Sequence, residues 1–137
     1  MVERSAKKDG ARIAAYLAYV GFKTPQPWCA AFVSYCFGQA GYSQPRTAWS
    51  PSLFPKERLV KDLSILRDDE KMPGMVYGLY FPTLKRIAHC GLVICVKNDL
   101  VYGVEGNTNL AGAREGDGVF RKIRHKRTIS NYADWLK

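Results

Sequence analysis

Long apolar runs are missing from this 137-residue sequence. No stretch approaches the roughly 20 apolar residues that a membrane-spanning helix needs, and the first nine residues contain no apolar signal-peptide core. We therefore expect no membrane insertion, and the sequence indicates no export route. Internal repeats and low-complexity tracts are also missing. The length suits one domain, so we expect a single domain over residues 1–137.

Cysteine is sparse, with Cys29, Cys36, Cys90 and Cys95 as the four examples. They do not form the dense framework of a small disulfide scaffold, so we expect free thiols. The apolar neighbours of Cys36 and Cys95 predict small buried side chains. No C-x2-C, H-E-x-x-H, P-loop or dinucleotide glycine pattern is present. We therefore expect no metal and no cofactor.

Acidic residues are scarce: 12 Asp and Glu stand against 21 Lys and Arg, which gives a net charge of +9. Part of the excess lies in the basic run, residues 121–127. Such a field attracts an anionic partner, whether nucleic acid, acidic lipid or a bacterial wall polymer. Charge alone does not choose among them. A hydrophobic fraction of 47% is enough to form a core.

Apolar periodicity predicts helices first and strands afterwards. Residues recurring at helical spacing predict one helix over 9–20 and a second from Cys29 to Ala40, ended by Gly41. Residues rich in β-branched and aromatic side chains predict four antiparallel strands, at 75–81, 89–97, 101–105 and 119–124. The turn pair Asn98-Asp99 predicts a hairpin between the second and third strands. This order indicates an α+β fold.

Cys29 is the one cysteine placed at the start of a predicted element. Free N–H groups and the dipole at a helix N-terminus stabilise an anion, and a nearby imidazolium lowers the pKa of a thiol further. Of the two histidines, His125 lies in the basic run, whereas His89 opens an apolar strand at the rim of the predicted sheet. We therefore predict Cys29 as nucleophile and His89 as its base.

A third polar group is needed to hold the imidazole in one tautomer. Antiparallel pairing returns Glu105 and Asn107 to the side of the sheet that carries His89, so both are candidates. The alternative is that Glu105 is a solvated acid at a strand end. Zinc binding is a rival use of Cys, His and Glu, but the spacing argues against it.

The block Pro27-Trp28-Cys29-Ala30-Ala31-Phe32-Val33-Ser34-Tyr35-Cys36 resembles the nucleophile helix of CHAP-domain amidases and peptidases. Ala88-His89-Cys90-Gly91 and Glu105-Gly106-Asn107-Thr108 follow in the order of that family and its NlpC-type relatives. The resemblance covers about Asp9 to Arg124. One departure is Cys90, which stands where a small aliphatic residue is usual. Strand alternation predicts that Cys90 points away from His89.

The resemblance implies a papain-like α+β fold with N-terminal helices packed on an antiparallel sheet of about four or more strands. It implies a thiol hydrolase in which Cys29 is the nucleophile, His89 the general base, and Glu105 with Asn107 the orienting residues. Family members cleave amide bonds in bacterial peptidoglycan, as amidases or endopeptidases. The implied place of action is the cell envelope or the exterior. We expect a monomer without a specific nucleic-acid partner.

The sequence also suggests residues around the reacting groups. Proximity alone makes the Gln26 side chain a candidate second donor to the oxyanion, beside the Cys29 backbone N–H. Trp28, Trp49 and Tyr77 are candidates for lining a substrate groove, although core packing is the competing explanation for each.

Two alternatives to a wall hydrolase stay open. A non-catalytic basic module that binds wall polymer or nucleic acid explains the charge but not Cys29. A papain-like thiol hydrolase acting on a non-wall amide explains Cys29 equally well.

Overall fold

A computed structural model describes residues 11–23, 27–62, 64, 67, 71–108 and 118–136, without the side chains of Ala11, Asn107 and Thr108. Over these residues the chain forms a small α+β fold, with two α-helices and one five-stranded antiparallel sheet. The α+β class predicted from the order of apolar patterns is confirmed. No helix in this part of the chain has the length and apolar character needed to cross a bilayer.

The two helices precede the sheet and pack on each other. Helix α1 spans Ala11–Tyr19 and α2 spans Cys29–Gln39. Gly21 and Gly41 follow them with φ of +92° and +95°, a conformation that glycine adopts without a Cβ clash. The predicted start of the second helix at Cys29 is confirmed.

The sheet contains the four predicted strands and one more. Strand β1 is Val76–Phe81, β2 is Arg86–Lys97, β3 is Leu100–Thr108, β4 is Gly118–His125 and β5 is Asn131–Ala133. Their order across the sheet is β4-β3-β2-β1-β5. Strand β2 begins three residues before His89, so His89 lies inside the strand rather than at its first residue.

The turns explain how the strands meet. Asn98 has a φ of 54° between β2 and β3, which pair antiparallel, so the predicted hairpin is confirmed. Between β1 and β2 the register shifts where Leu79 faces His89 and the next pair is Tyr80 with Ile87. The extra residue is Ala88, so a β-bulge lies directly beside His89. Bulges of this kind redirect neighbouring side chains and are common next to active sites.

Helix α2 packs closely against β2 and β3 because a glycine on β3 leaves room for it. A Cβ placed on Gly106 of β3 would lie 2.7 Å from the Trp28 ring and 2.8 Å from Cβ of Phe32. The start of α2 is therefore pressed directly against the backbone of β3. This contact fixes the position of Cys29 relative to the sheet.

Candidate active site

The thiol of Cys29 lies at the first residue of α2 and is 3% exposed. Trp28, the residue before it, is fully buried and stacks on Tyr16 with ring centroids 5.8 Å apart. Replacing a buried tryptophan by alanine typically costs about 3–5 kcal/mol, so Trp28 anchors the helix start. The Cys29 N–H is one of the first four of the helix, which have no partner within the helix itself.

His89 and Glu105 form a buried pair on neighbouring strands. Nε2 of His89 lies 2.7 Å from Oε1 of Glu105, and the two residues are 1% and 0% exposed. The structure thus brings together the histidine and the acid that the sequence placed on adjacent strands. Because Glu105 occupies Nε2, the other ring nitrogen is the one left for Cys29. That nitrogen, Nδ1, is buried and has no hydrogen-bond partner of normal geometry among the described residues.

Glu105 is held by two further residues from β1 and β4. The Tyr77 hydroxyl donates to Oε2 at 2.5 Å. Arg124 donates from Nε to Oε2 at 2.5 Å and from Nη2 to Oε1 at 2.7 Å. Burial raises the pKa of Glu105, but the bonds from Arg124 and His89 outweigh it and lower the pKa to about 2. The carboxylate is therefore ionised at neutral pH.

Two glycines let Tyr77 reach across the sheet. A Cβ on Gly91 of β2 or on Gly103 of β3 would lie 2.5 Å from the Tyr77 hydroxyl oxygen. The phenol ring therefore lies over positions that lack side chains on two successive strands. We call this pair of positions the glycine trough. It explains how a residue of β1 reaches a carboxylate on β3.

The negative charge on Cys29 and the positive charge on His89 stabilise each other. Burial lowers the pKa of His89, but the neighbouring Cys29 sulfur and the Glu105 carboxylate outweigh it and raise the pKa to about 9. A hydrogen bond from Cys90 and the imidazolium of His89 hold the pKa of Cys29 well below its usual value, against the effect of burial. This arrangement favours a thiolate beside an imidazolium at neutral pH.

Cys90 and Ser50 also lie beside the sulfur; the sequence did not predict Ser50, and it predicted only that Cys90 points away from His89. Burial and the neighbouring Cys29 sulfur hold the pKa of Cys90 well above its usual value. Cys90 is therefore a neutral thiol that can donate to the Cys29 thiolate. The Ser50 hydroxyl lies 3.2 Å from Sγ of Cys29 and is buried at the start of a 3-10 helix, Ser50–Leu53.

The site opens into a cavity of about 420 Å³. Its wall includes Cys29 and Ser50, the residues Thr47 and Ala48 before the 3-10 helix, and Ala88 at the bulge of β2. The thiol is therefore buried on the core side and accessible from the cavity. A small amide substrate can approach it from that direction.

The other predicted site residues have different outcomes. Trp28 and Tyr77 are fully buried, so the prediction that they line a groove is wrong: one anchors α2 and the other binds Glu105. Trp49 does line the cavity and is 51% exposed. Gln26 lies outside the described residues. Asn107 lies in β3, but its side chain is outside the described part.

All four cysteines are free thiols, with Cys36 and Cys95 half-buried rather than buried as predicted. Among the described residues, no group of three His, Cys, Asp or Glu side chains is arranged to hold a metal ion.

The sequence did not predict Arg124, Ser50 or Cys90 as parts of the site, and it assigned Tyr77 a different role. The one available signal for Tyr77 was the pair of glycines on the next two strands. Arg124 had no distinguishing signal, because it lies within the basic run. The chain matches no protein-family model, no curated protein and no solved structure.

Proposed function

We propose that the chain is a cysteine-dependent peptidoglycan hydrolase of the papain-like CHAP type, cleaving an amide bond through a thioester. The observation that carries the proposal is the buried series Cys29, His89 and Glu105, with the sulfur facing a cavity. A thiolate, an imidazolium and a polar group that orients the imidazole are the groups that cysteine hydrolases use to cleave amides, and here the orienting group is a carboxylate. The choice of peptidoglycan comes from the CHAP resemblance and agrees with the positive charge.

The first half of the reaction forms the acyl-enzyme. The Cys29 sulfur attacks the amide carbonyl carbon, and the carbonyl oxygen becomes an oxyanion. The His89 imidazolium then gives its proton to the amide nitrogen as the carbon–nitrogen bond breaks. The amine leaves, and the acyl group remains on Cys29 as a thioester. His89 is now neutral.

The second half releases the acid. A water molecule gives a proton to His89 and attacks the thioester carbonyl through its oxygen. The carbon–sulfur bond breaks, Cys29 leaves as a thiolate, and the product is a carboxylic acid. His89 is again an imidazolium, so one amide and one water have become one acid and one amine.

The surrounding residues have supporting roles in this scheme. Glu105 keeps Nε2 of His89 engaged, so that Nδ1 remains directed to the reacting atoms. The backbone N–H of Cys29 stabilises the oxyanion, with Gln26 proposed as the second donor. The loss of one such donor typically costs on the order of a hundredfold in rate.

The test is digestion of purified peptidoglycan with the wild type, Cys29→Ala and Cys95→Ala, followed by mass spectrometry of the new termini. We expect products with the wild type and Cys95→Ala, and none with Cys29→Ala. An amidase frees the lactyl group of the sugar, whereas an endopeptidase creates new ends within the peptide. Wild-type protein that yields no Cys29-dependent product would contradict the wall-hydrolase assignment.

The non-catalytic basic module is the second candidate, because the exposed Arg121 and Arg127 lie in the basic run. The same run also supplies Arg124, which is bound to Glu105 inside the site rather than offered to a ligand. Retained function in Cys29→Ala, together with loss of function when Arg121 and Arg127 are neutralised, would favour the module. Cleavage of a non-wall amide alone would favour a thiol hydrolase with another substrate.

A further inference from the structure

Two arginines stand on the wall of the cavity beside Cys29. Arg46 precedes the 3-10 helix that carries Ser50, and Arg86 is the first residue of β2. No Asp or Glu is among the described residues that line this cavity. The cavity is therefore cationic at the place where the Cys29 sulfur is accessible.

Arg46 is held in place by Tyr19. Its Nε donates to the Tyr19 carbonyl at 2.7 Å, and its guanidinium carbon lies 4.2 Å from the centroid of the Tyr19 ring. These contacts use one N–H and one face of the guanidinium. The two terminal amino groups are the ones left to form a hydrogen-bonding fork.

Arg86 is held in a similar way by Trp49. Its guanidinium carbon lies 4.3 Å from the centroid of the Trp49 ring, and Nη1 donates to the Ile87 carbonyl at 3.3 Å. Stacking on an aromatic face restricts a long side chain before any ligand arrives. Both arginines are therefore preorganised, which lowers the entropic cost of binding.

Preorganised guanidinium groups in a cavity without acidic residues suit a planar anion. A carboxylate matches the spacing of the guanidinium N–H groups and accepts two hydrogen bonds at once. The wall also includes the apolar side chains of Val20, Phe22 and Ala48, which can contact the carbon atoms of such a ligand. A neutral amide has no comparable attraction for this wall.

We propose that the cavity selects substrates that carry a carboxylate close to the scissile amide, with Arg46 and Arg86 as its ligands. This inference rests on the proposed function, because it assigns part of the substrate to the cavity that the Cys29 thiol faces. It narrows the substrate class to peptides or N-acyl amino acids that carry a carboxylate close to the scissile amide. It also separates the arginines that bind substrate from the basic run, which begins on the edge strand β4.

The test uses two alkylating reagents that differ in one charge. Iodoacetate carries a carboxylate next to its reactive carbon, and iodoacetamide carries a neutral amide there. The rate of Cys29 modification by each reagent is followed by peptide mass spectrometry, and the ratio of the two rates is compared among variants. The imidazolium of His89 is present in every variant, so its contribution cancels in the comparison.

We expect the iodoacetate-to-iodoacetamide ratio to fall about fivefold or more in Arg86→Gln and in Arg46→Gln, since each removes a charge-assisted ligand. Arg86→Lys should keep a ratio above that of Arg86→Gln, because it retains the charge. Lys97→Gln is the matched control: Lys97 is exposed at the other end of β2, and its loss should leave the ratio unchanged.

Two outcomes would overturn the inference. One is a ratio that stays at the wild-type value in both arginine variants, even if both rates change together. The other is an equal fall in Lys97→Gln, which would attribute the preference to the net charge of the protein. Alkylation does not require hydrolysis. Failure to cut peptidoglycan therefore leaves this result standing, and failure of the ratio test leaves the hydrolase proposal standing.

Discussion

Replacing Glu105 by glutamine removes the buried charge on which three neighbours depend. The carboxylate accepts bonds from Tyr77, Arg124 and His89, and its pKa is lowered from 4.5 to about 2. Each tenfold change in proton affinity is worth about 1.4 kcal/mol, so this difference corresponds to roughly 3 kcal/mol of stability at pH 7. Breaking a buried ion pair costs a similar amount, about 3–5 kcal/mol.

The pH dependence of the stability difference shows whether the charge of Glu105 is its cause. A carboxylate with a lowered pKa contributes stability above its unfolded pKa and loses it as the pH falls through the folded value. For Glu105 that window runs from 4.5 down to about 2. About 2 kcal/mol of the stability that the Glu105 carboxylate contributes at pH 7 should be lost by pH 3. The difference between the wild type and Glu105→Gln should therefore narrow from pH 7 to pH 3.

The assay is urea denaturation of both proteins at several pH values, with Glu57→Gln as the matched control. Glu57 is exposed and has the same charge to lose, so its variant should lie within about 0.5 kcal/mol of the wild type. A Glu105→Gln penalty that is equal at pH 7 and pH 3 would refute the reasoning. It would mean that the shape of the side chain, rather than its charge, stabilises the site.

Three further predictions concern the reactivity of the sulfur. Iodoacetamide should modify Cys29 rapidly at pH 6 and Cys36 slowly, because burial raises the pKa of Cys36 to about 11. Hydrolysis should decline on the alkaline side near pH 9, where His89 loses its proton. Cys90→Ala and Ser50→Ala should each slow the modification of Cys29 at pH 6 and leave it nearly unchanged at pH 9, because each removes a hydrogen bond to the thiolate.

Each of these predictions has a control and a contradictory outcome. Equal modification of Cys29 and Cys36 at pH 6, mapped by mass spectrometry, would argue against a lowered Cys29 pKa. For hydrolysis, a rate still rising at pH 10 would exclude His89 as the required acid. Cys95→Ala is the control for Cys90→Ala, because Cys95 is a half-buried thiol on the same strand. Slowing by the same factor at pH 6 and pH 9 would point to blocked access rather than to pKa.

The sequence predicted those parts of the site that depend on local pattern. Cys29 could be placed because a helix start has a local signature in its neighbours. His89 and Glu105 could be predicted to lie close together because the turn at Asn98 fixes which residues of the two strands face each other. Both steps use only residues close in sequence or one hairpin apart.

The remaining parts depend on contacts between distant segments. Strand β5 has only three residues, Asn131–Ala133, which is too short for an alternating pattern to be recognised. Arg124 is one of several cations in a row, and the pairing of β4 with β3 places it opposite Val101, so its contact with Glu105 depends on the reach of the side chain along the sheet. Ser50 reaches Cys29 from an irregular segment whose path is set by packing. Cys90 enters the site because the start of α2, which carries Cys29, lies directly against its strand.

Because Tyr77 must lie over the glycine trough to reach Glu105, the site forms only when β1 is in the correct register. Tyr77 lies on β1, the trough on β2 and β3, and the carboxylate on β3. Slipping β1 by one residue would turn Tyr77 to the opposite face and place a different side chain over the trough, although the backbone ladder could still form. Such a chain would keep much of its secondary structure and lack the support beneath Glu105. The proposed hydrolytic activity would therefore measure correct strand alignment more stringently than circular dichroism does.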